Sequence, residues 1–356
     1  RHHIELENID YIQIHPTTLY SEKPGRRFLI SESVRGEGAI LLNRKGERFV
    51  DELLPRDVVT KAIQEEMKKE GTDHVWLSME NIDKDTILHH FPHIYERCLE
   101  EGYDVTKECI PVVPAQHYFM GGIWVDYELM TSIKGLFAIG ECNFSDHGAN
   151  RLGASALMQG LADGYFVLPY TIQNYLADQI TVPRFSTDLP EFAAAEKAVQ
   201  EKIDWMMNIK GKKSVDSIHK ELGHIMWEYV GMGRTAEGLK EGLKKLKEVR
   251  KEFEKELFIP GDKEGMNVEL DKAIRLYDFI TMGELVAYDA LNRNESCGGH
   301  FREEYQTEEG EAKRDDENYF YVACWEYQGS DEKEPVLLKE PLVYEAIKVQ
   351  TRNYKS

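Results

Sequence analysis

The spacing of hydrophobic residues changes along this chain and divides it into two regions. Up to about residue 185, short runs in which apolar and polar positions alternate are mixed with helical stretches, whereas beyond residue 190 apolar positions recur every three to four residues. Alternation at period two is typical of a half-buried strand, and period 3.6 is typical of an amphipathic helix. The pattern therefore predicts a first region of mixed strands and helices, followed by a helical region.

The first region contains four predicted elements. Residues 9–14 alternate as a strand, which should end at Pro16 because proline has no N–H to donate to a neighbouring strand. The spacing predicts a helix over 57–70. The continuous apolar run 135–140 predicts a short buried strand of the parallel kind, and a helix returns over 155–165.

Three apolar stripes predict the helices of the second region, with Ser214 as the N-cap of the first helix. A charged face lies opposite each stripe, which favours a three- or four-helix antiparallel bundle. Past residue 292 the pattern changes to an acidic loop, a predicted strand over 319–325 and a second strand near 335–338. The three stripes are Val215, Ile218, Leu222, Ile225 and Tyr229; Leu239, Leu243, Leu246, Phe253 and Leu257; and Leu270, Ile274, Tyr277, Phe279 and Leu285.

Composition excludes several classes of protein. With 42% hydrophobic residues the chain can build real cores, and its 64 acidic against 44 basic residues give a net charge of −20, which argues against nucleic acid as a partner. The five cysteines are scattered and form no CxxC pair, so neither a disulfide framework nor a metal site is indicated, and a reducing compartment fits best. No apolar stretch approaches the length of a membrane span, so we expect no direct membrane insertion.

Six short segments combine polar groups with glycines or helix starts. Several have a structural alternative, such as a strand-ending turn at His15, a surface ion pair between Glu32 and Arg35, or a helix cap at Arg56. The most specific segment ends in Glu141, because a carboxylate after a buried strand can accept a hydrogen bond from a ribose or ribityl hydroxyl. The segments are 15–18, 31–38, 55–57, 117–122, 135–141 and 147–157.

In this order and at these separations, the six segments resemble the flavoprotein subunits of succinate dehydrogenases and fumarate reductases, within the FAD-dependent superfamily that also contains L-aspartate oxidase. The resemblance continues through residues 295–303 and 314–318 to the C-terminus. One feature departs from the family pattern, since no GxGxxG follows an N-terminal strand in this sequence. The chain therefore resembles the C-terminal portion of a longer polypeptide and lacks the N-terminal FAD-binding half.

The resemblance implies an α+β multidomain fold. A capping domain over 1–111 would precede the returning part of an α/β FAD-binding domain over 112–185. A helical bundle over 186–291 and a small C-terminal α+β domain over 292–356 would follow.

The resemblance also implies a dicarboxylate site. Arg56 would be the proton donor or acceptor, and Glu32 and Arg35 would connect it to solvent, which answers the objection that a guanidinium is a poor base. Ser31 stands where relatives often have threonine and keeps the hydroxyl donor. One substrate carboxylate would be held by His15 and Ser31, and the other by His117 and Arg151.

The cofactor implied for the full-length protein is FAD. Glu141 would bind its ribityl or ribose hydroxyls. The helix start at Ser155, Ala156 and Leu157, close to Asn150, would direct its dipole at the flavin and stabilise the reduced anion.

The function implied first is the interconversion of succinate and fumarate by a quinone-linked flavoprotein subunit. An iron–sulfur subunit and a membrane cytochrome b subunit would then be its partners, and it would lie in the cytoplasm, peripheral on the inner face of the cell membrane. The alternatives are an L-aspartate oxidase or soluble fumarate reductase, or a fragment without activity that serves in assembly. The sequence leaves open the physiological direction, the quinone and whether the flavin is covalent.

Overall fold

The computed structural model describes residues 2–23, 27–144, 147–330 and 333–350. Helices and sheets are mixed along these ranges, which confirms the predicted fold class. The strands are β1 (Leu6–Glu7), β2 (Ile12–Leu19), β3 (Ile40–Leu42), β4 (Val75–Ser78), β5 (Ile110–Phe119), β6 (Gly122–Ile123), β7 (Lys213–Ser214), β8 (Leu257–Phe258), β9 (Tyr321–Glu326) and β10 (Val336–Pro341). The helices are α1 (Glu32–Gly36), α2 (Arg56–Glu70), α3 (Lys84–His90), α4 (Pro92–Glu100), α5 (Ser155–Ala162), α6 (Leu168–Gln179), α7 (Pro190–Asn208), α8 (Val215–Val230), α9 (Ala236–Glu256), α10 (Val268–Asn292) and α11 (Asp316–Tyr319).

The chain divides into two compact units. The inserted unit is Ile12–Tyr118, and the main unit consists of Arg1–Tyr11 with Phe119–Ser356. The finer division into four domains stays a prediction.

The inserted unit has a four-stranded sheet in the order β2-β5-β4-β3. Helix α2 packs against β2 and buries Val59 and Ile63 in the core, as the apolar spacing over 57–70 predicts. Strands β3, β4 and β5 pair antiparallel, and the core continues through Leu41 and Leu77. This core supports the elements that carry the candidate catalytic residues.

The first strand differs from the sequence prediction. Strand β2 begins at Ile12 and runs through Pro16 to Leu19, whereas the alternation predicts a strand over 9–14 that ends at the proline. Because β2 is an edge strand in this sheet, a residue without an N–H is tolerated there.

The chain leaves the main unit after Tyr11 and returns to it at Phe119, and these two points lie side by side. The Met120 N–H donates to the Tyr11 carbonyl at 3.0 Å, and Leu6 of β1 pairs with Ile123 of β6. A Cβ on Gly121 would lie 2.1 Å from the Asn8 carbonyl oxygen, so only glycine fits. Both glycines of the segment 117–122, Gly121 and Gly122, thus lie against the backbone of another part of the chain.

The sheet of the main unit joins the start of the chain to its end. Its order is β10-β9-β1-β6, with Glu7 of β1 opposite Cys324 of β9. Strands β9 and β10 confirm the two strands predicted after residue 292.

Helices α8, α9 and α10 pack together, as the apolar stripes predict, and α7, for which no stripe is identified, packs against α10. Ser214 caps α8 by accepting a hydrogen bond from the Ser217 N–H, which confirms the predicted N-cap. The third stripe is wrong in part, because Phe279 is exposed while Leu276 and Ile280 are buried. Helix α10 touches both α8 and α9, so its buried face is wider and rotated relative to the predicted stripe.

The run 135–140 is not a strand. A bridge between Met130 and Phe137 and a hydrogen bond from Thr131 N to Leu136 O fold it back on the residues just before it. Leu136 and Ile139 remain partly exposed, so the run is apolar without being buried on both faces. A short 3₁₀ turn, Gly140–Cys142, follows it.

The helix predicted over 155–165 forms as α5 and a π-helical turn, Asp163–Val167. Among the described residues, no helix has the combination of length and apolar character that is needed to span a bilayer.

Candidate active site

A cluster of basic groups lies in the inserted unit. His15 on β2 and His117 on β5 have ring centroids 5.2 Å apart. Arg56 is the first residue of α2, and its Nη1 donates to Gln13 Oε1 at 3.2 Å. Because Gln13 and His15 are two residues apart on one strand, they lie on the same face.

The electrostatics of this cluster favour an anion. His15 is buried, and its Nδ1 lies 3.1 Å from both the N and the O of Thr17. Burial, with the positive charges of Arg56, His117 and Arg35, lowers the pKa of His15 to about 3. A neutral imidazole surrounded by cations can donate a hydrogen bond to a carboxylate while the guanidinium groups supply the charge.

Arg56 also forms an ion pair with Glu32 of α1. Its Nε and Nη2 lie 2.6 and 2.5 Å from Glu32 Oε2. The Glu32 side chain is 47% exposed and that of Arg56 is 16% exposed, so the pair extends from a half-buried site to solvent. The two groups predicted to share proton transfer therefore touch each other.

Arg35 lies on the buried side of α1. Its Nη1 donates to the Glu52 backbone carbonyl at 2.5 Å, and burial lowers its pKa. Glu52 is held by Arg48 and by the Leu41 N–H. Arg35 thus adds positive charge behind the Arg56–Glu32 pair.

Ser31 has a structural role in addition to its predicted one. As the N-cap of α1 it accepts a hydrogen bond from the Ser33 N–H, and its hydroxyl lies 3.2 Å from Ser33 Oγ. Capping orients the first turn of α1, which carries Glu32.

The predicted flavin contacts lie in the main unit. Glu141 is exposed within the 3₁₀ turn and accepts the Phe119 N–H at 3.1 Å. Asp163 accepts the Gly140 N–H at 3.0 Å and so holds this turn. The exposed carboxylate of Glu141 is compatible with a hydroxyl donor.

The start of α5 is an open donor site. Ala154 has φ +62° and no side chain of the described residues caps the helix, since the Ser155 hydroxyl donates to Leu152 O instead. The Ser155 N–H reaches Leu152 O at 3.4 Å. The first N–H groups of a helix need acceptors, so those of Ala156 and Leu157, next to Ser155, fit the carbonyl edge of a flavin. These residues therefore suit FAD.

Arg151 precedes this helix and is buried. Its Nη1 donates to Leu152 O at 3.2 Å, while Asn150 beside it is exposed. Arg151 and Asn150 belong to the main unit, and His15, Ser31 and His117 belong to the inserted unit.

Sequence reasoning missed Gln13, Glu52 and Asp163. Gln13 could have been found, because it is a polar residue two positions from His15 on a predicted strand. Glu52 and Asp163 act through contacts that sequence spacing does not reveal.

Comparisons with known proteins identify the family. Residues 1–157 match the family described as FAD binding domain, and residues 219–354 match the family described as fumarate reductase flavoprotein C-term. FAD is the cofactor that these matches indicate.

Relatives were found in sequence and in structure. The L-aspartate oxidase of Clostridium perfringens is 56% identical over 163 residues, which are 45% of this chain and 37% of that protein. The chloroplastic L-aspartate oxidase of Oryza sativa subsp. japonica is 36% identical over 316 residues, covering 84% of this chain and 48% of that protein. A solved quinol-fumarate reductase with menaquinol molecules superposes with a TM-score of 0.83 at 29% identity, covering 98% of this chain and 62% of that one. The chain spans about half the length, or less, of the curated relatives it matches.

Proposed function

Because this chain belongs to the FAD-dependent superfamily that contains L-aspartate oxidases and the flavoprotein subunits of succinate dehydrogenases and fumarate reductases, we propose that it forms the substrate-handling part of an L-aspartate oxidase. The relatives named L-aspartate oxidase support this choice over succinate and fumarate, the function implied first by the sequence. The contact of Arg56 with Glu32 in a basic cluster carries the proposal.

L-Aspartate presents two carboxylates and one ammonium group. In this proposal His15 and Ser31 hold one carboxylate, and His117 and Arg151 hold the other. Glu32 is the acidic group at the edge of the basic cluster, so its carboxylate can accept a hydrogen bond from the ammonium group. Fixing three groups of the substrate orients C2, and such orientation is a large part of catalysis.

Oxidation of the ammonium form of L-aspartate removes a hydride from C2 and one proton from the nitrogen, and the product is the protonated imine. When bound at the start of α5, FAD supplies the acceptor for the hydride. The proton is passed to Glu32, and the Arg56–Glu32 pair connects the half-buried site with solvent. Arg56 keeps its charge throughout, as a guanidinium does, and orients Glu32 through their ion pair.

The test uses the full-length flavoprotein under anaerobic conditions. L-Aspartate should bleach the bound flavin, and admission of air should restore its absorbance with formation of hydrogen peroxide. Bleaching by succinate and not by L-aspartate would overturn the proposal.

A pair of variants tests the role of Glu32. Glu32→Gln should slow bleaching by L-aspartate at least about a hundredfold, because the proton acceptor is lost, and should leave malonate affinity within about threefold. Glu37→Gln, on an exposed residue just after α1, is the matched control and should behave as wild type.

A second candidate is the flavoprotein subunit of a succinate dehydrogenase or fumarate reductase. The match of residues 219–354 to the fumarate reductase C-terminal family and the quinol-fumarate reductase neighbour favour it. An iron–sulfur subunit and a membrane cytochrome b subunit would then be partners, with the protein peripheral to the membrane. Bleaching by succinate in the experiment above would select this function.

A further inference from the structure

Asp10, Arg234 and His300 form a buried polar network in the main unit. Asp10 Oδ2 lies 2.8 Å from His300 Nδ1 and 3.6 Å from Arg234 Nη1, and all three residues have at most 2% of their surface exposed. Burial raises the pKa of Asp10, but His300, Arg293 and Arg234 outweigh it and lower the pKa overall. The carboxylate is therefore ionised beside the guanidinium groups of Arg234 and Arg293, whereas burial lowers the pKa of His300.

The same network fixes His300 from its other side. His300 Nε2 lies 2.9 Å from the Arg293 carbonyl, and Arg234 Nη2 donates to the Asp10 carbonyl at 2.9 Å. Both ring nitrogens of His300 therefore have a polar partner within the network.

His300 ends a tight hairpin that begins at Cys297. The Cys297 N–H donates to the His300 carbonyl at 2.8 Å, and the His300 N–H donates back at 3.0 Å. Two glycines lie between these residues, and Gly298 has φ +55°. The buried network therefore fixes the whole hairpin, Cys297–His300.

The hairpin packs directly on the segment that leads to Arg151. The Gly299 N–H donates to the Ala149 carbonyl at 2.6 Å. A Cβ on Gly298 would lie 2.2 Å from the same oxygen and 2.7 Å from Ala149 Cβ. Ala149 is only two residues before Arg151, so a displacement at this contact would be transmitted to the arginine.

We propose that the Cys297–His300 hairpin is a positioning element for Arg151, with His300 as the residue that anchors it. The inference rests on the proposed function in that Arg151 is taken to bind a substrate carboxylate. The proposal gives the buried polar network a role. Its directional contacts hold the glycine hairpin in place, which apolar packing alone would not do.

The experiment introduces Gly298→Ala into the full-length holoenzyme. Gly329→Ala is the matched control, because Gly329 has a similar left-handed backbone, with φ +82°, and nothing lies within 4 Å of its Cβ position. Both variants carry the same type of backbone strain, but only Gly298→Ala pushes on Ala149.

Two readouts separate the inference from the proposed function. The first is the rate of tryptic cleavage after Arg151, followed by mass spectrometry, which depends on local exposure and not on catalysis. The second is the Kd for malonate from flavin absorbance, together with the separate changes in kcat and KM.

Gly298→Ala should raise the cleavage rate and the malonate Kd about tenfold each, should raise KM with kcat within about threefold of wild type, and should leave flavin content unchanged. Gly329→Ala should change neither readout. Unchanged cleavage in Gly298→Ala, or faster cleavage with unchanged malonate affinity, would overturn the inference. Faster cleavage in an enzyme whose wild type does not bind malonate would keep the positioning role and reject the proposed function.

Variants at His300 keep the idea testable should Gly298→Ala fail to fold. His300→Gln retains one donor for the Arg293 carbonyl, whereas His300→Ala retains none. His300→Gln should therefore show smaller increases in cleavage rate and malonate Kd than His300→Ala. Equal effects of the two variants on both readouts would contradict the anchoring role.

Discussion

At the scale of single residues, two arginines of equal charge are assigned different roles. Arg151 is buried beside the open start of α5, whereas Arg56 pairs with Glu32 in the inserted unit. Arg151→Ala in the full-length enzyme should weaken malonate binding by about 2–5 kcal/mol, because a bound carboxylate loses its partner. Arg56→Gln should reduce kcat by orders of magnitude while malonate affinity stays within about tenfold.

Flavin absorbance titrated with malonate, alongside steady-state turnover, measures both effects. Flavin content should be the same in both variants. Near-native turnover in Arg56→Gln, or native malonate affinity in Arg151→Ala, would show that the assigned role is wrong at that position.

Glu7 gives the main unit a pH dependence. Burial, then a hydrogen bond and charge repulsion from Glu340, raise the pKa of Glu7 to about 8 from its ordinary value of 4.5. The folded state therefore holds one more proton than the unfolded state between these two values. Its stabilising effect is complete below about pH 4.5 and is lost as the pH rises through about 8.

The free energy of unfolding should accordingly fall with pH by at most about 1.4 kcal/mol per pH unit in that window from this group. Glu7→Gln should remove this contribution, and Glu340→Gln should reduce it because the repelling carboxylate is gone. Urea unfolding at a series of pH values measures the slope. A slope that is the same in wild type and Glu7→Gln would refute the assignment.

The sequence allowed the residue types of the site to be predicted better than the contacts between them. His15, Arg56 and Glu32 stand out as polar groups beside glycines and helix starts in the sequence. The Arg56–Glu32 pair joins residues 24 positions apart, so no helical or strand spacing could reveal it. Their roles in catalysis stay predictions.

At the scale of elements, helices with one apolar face were predicted best. The spacing in α2 and α8 is local and identifies the buried face directly. The run 135–140 failed as a strand because burial and pairing partners, which lie elsewhere in the chain, decide whether an apolar run joins a sheet. The prediction that the first strand ends at Pro16 failed for the same reason, since only the sheet order shows that β2 is an edge strand.

Two helical glycines test the packing of α8 against α9. A Cβ on Gly242 of α9 would lie 2.8 Å from Tyr229 Cβ, whereas nothing lies within 4 Å of the Cβ position on Gly223 of α8. Gly223→Ala should stabilise the protein by about 0.5–1 kcal/mol through helix propensity alone. Gly242→Ala should destabilise it by about 1–3 kcal/mol, because the helices must move apart.

Chemical denaturation of both variants measures the difference. Both variants gain the same helix propensity, so this gain cancels when their free energies of unfolding are subtracted. The remaining difference measures the packing of α8 against α9. Equal stabilisation by both substitutions would mean that α8 and α9 are not in close contact at Gly242.

At the scale of the whole molecule, a large apolar surface is exposed on the main unit. Leu157, Phe166 and Ile180, on and around α5 and α6, are each at least 75% exposed. Exposed apolar side chains that are concentrated in one part of the chain favour association. The chain on its own should therefore form oligomers and bind hydrophobic dyes, as measured by light scattering and dye fluorescence.

Phe166→Glu should reduce both signals, whereas Met266→Glu, at an exposed apolar residue in the loop before α10, should not. A monomeric chain that does not bind the dye would argue against an associating surface.

The backbone hydrogen bond from Met120 to Tyr11 has a consequence for how such proteins can diversify. It ties together the points where the chain leaves for the inserted unit and returns from it. The main unit holds the two ends of the inserted unit together. The entropy cost of holding the ends of a segment together rises only slowly with the length of that segment. Segments whose ends meet can be exchanged or permuted without disturbing their host. The residues from Ile12 to Tyr118 thus have the layout of an exchangeable segment, and its replacement would change His15, Arg56 and His117 together while Glu141 and Arg151 stay in the host.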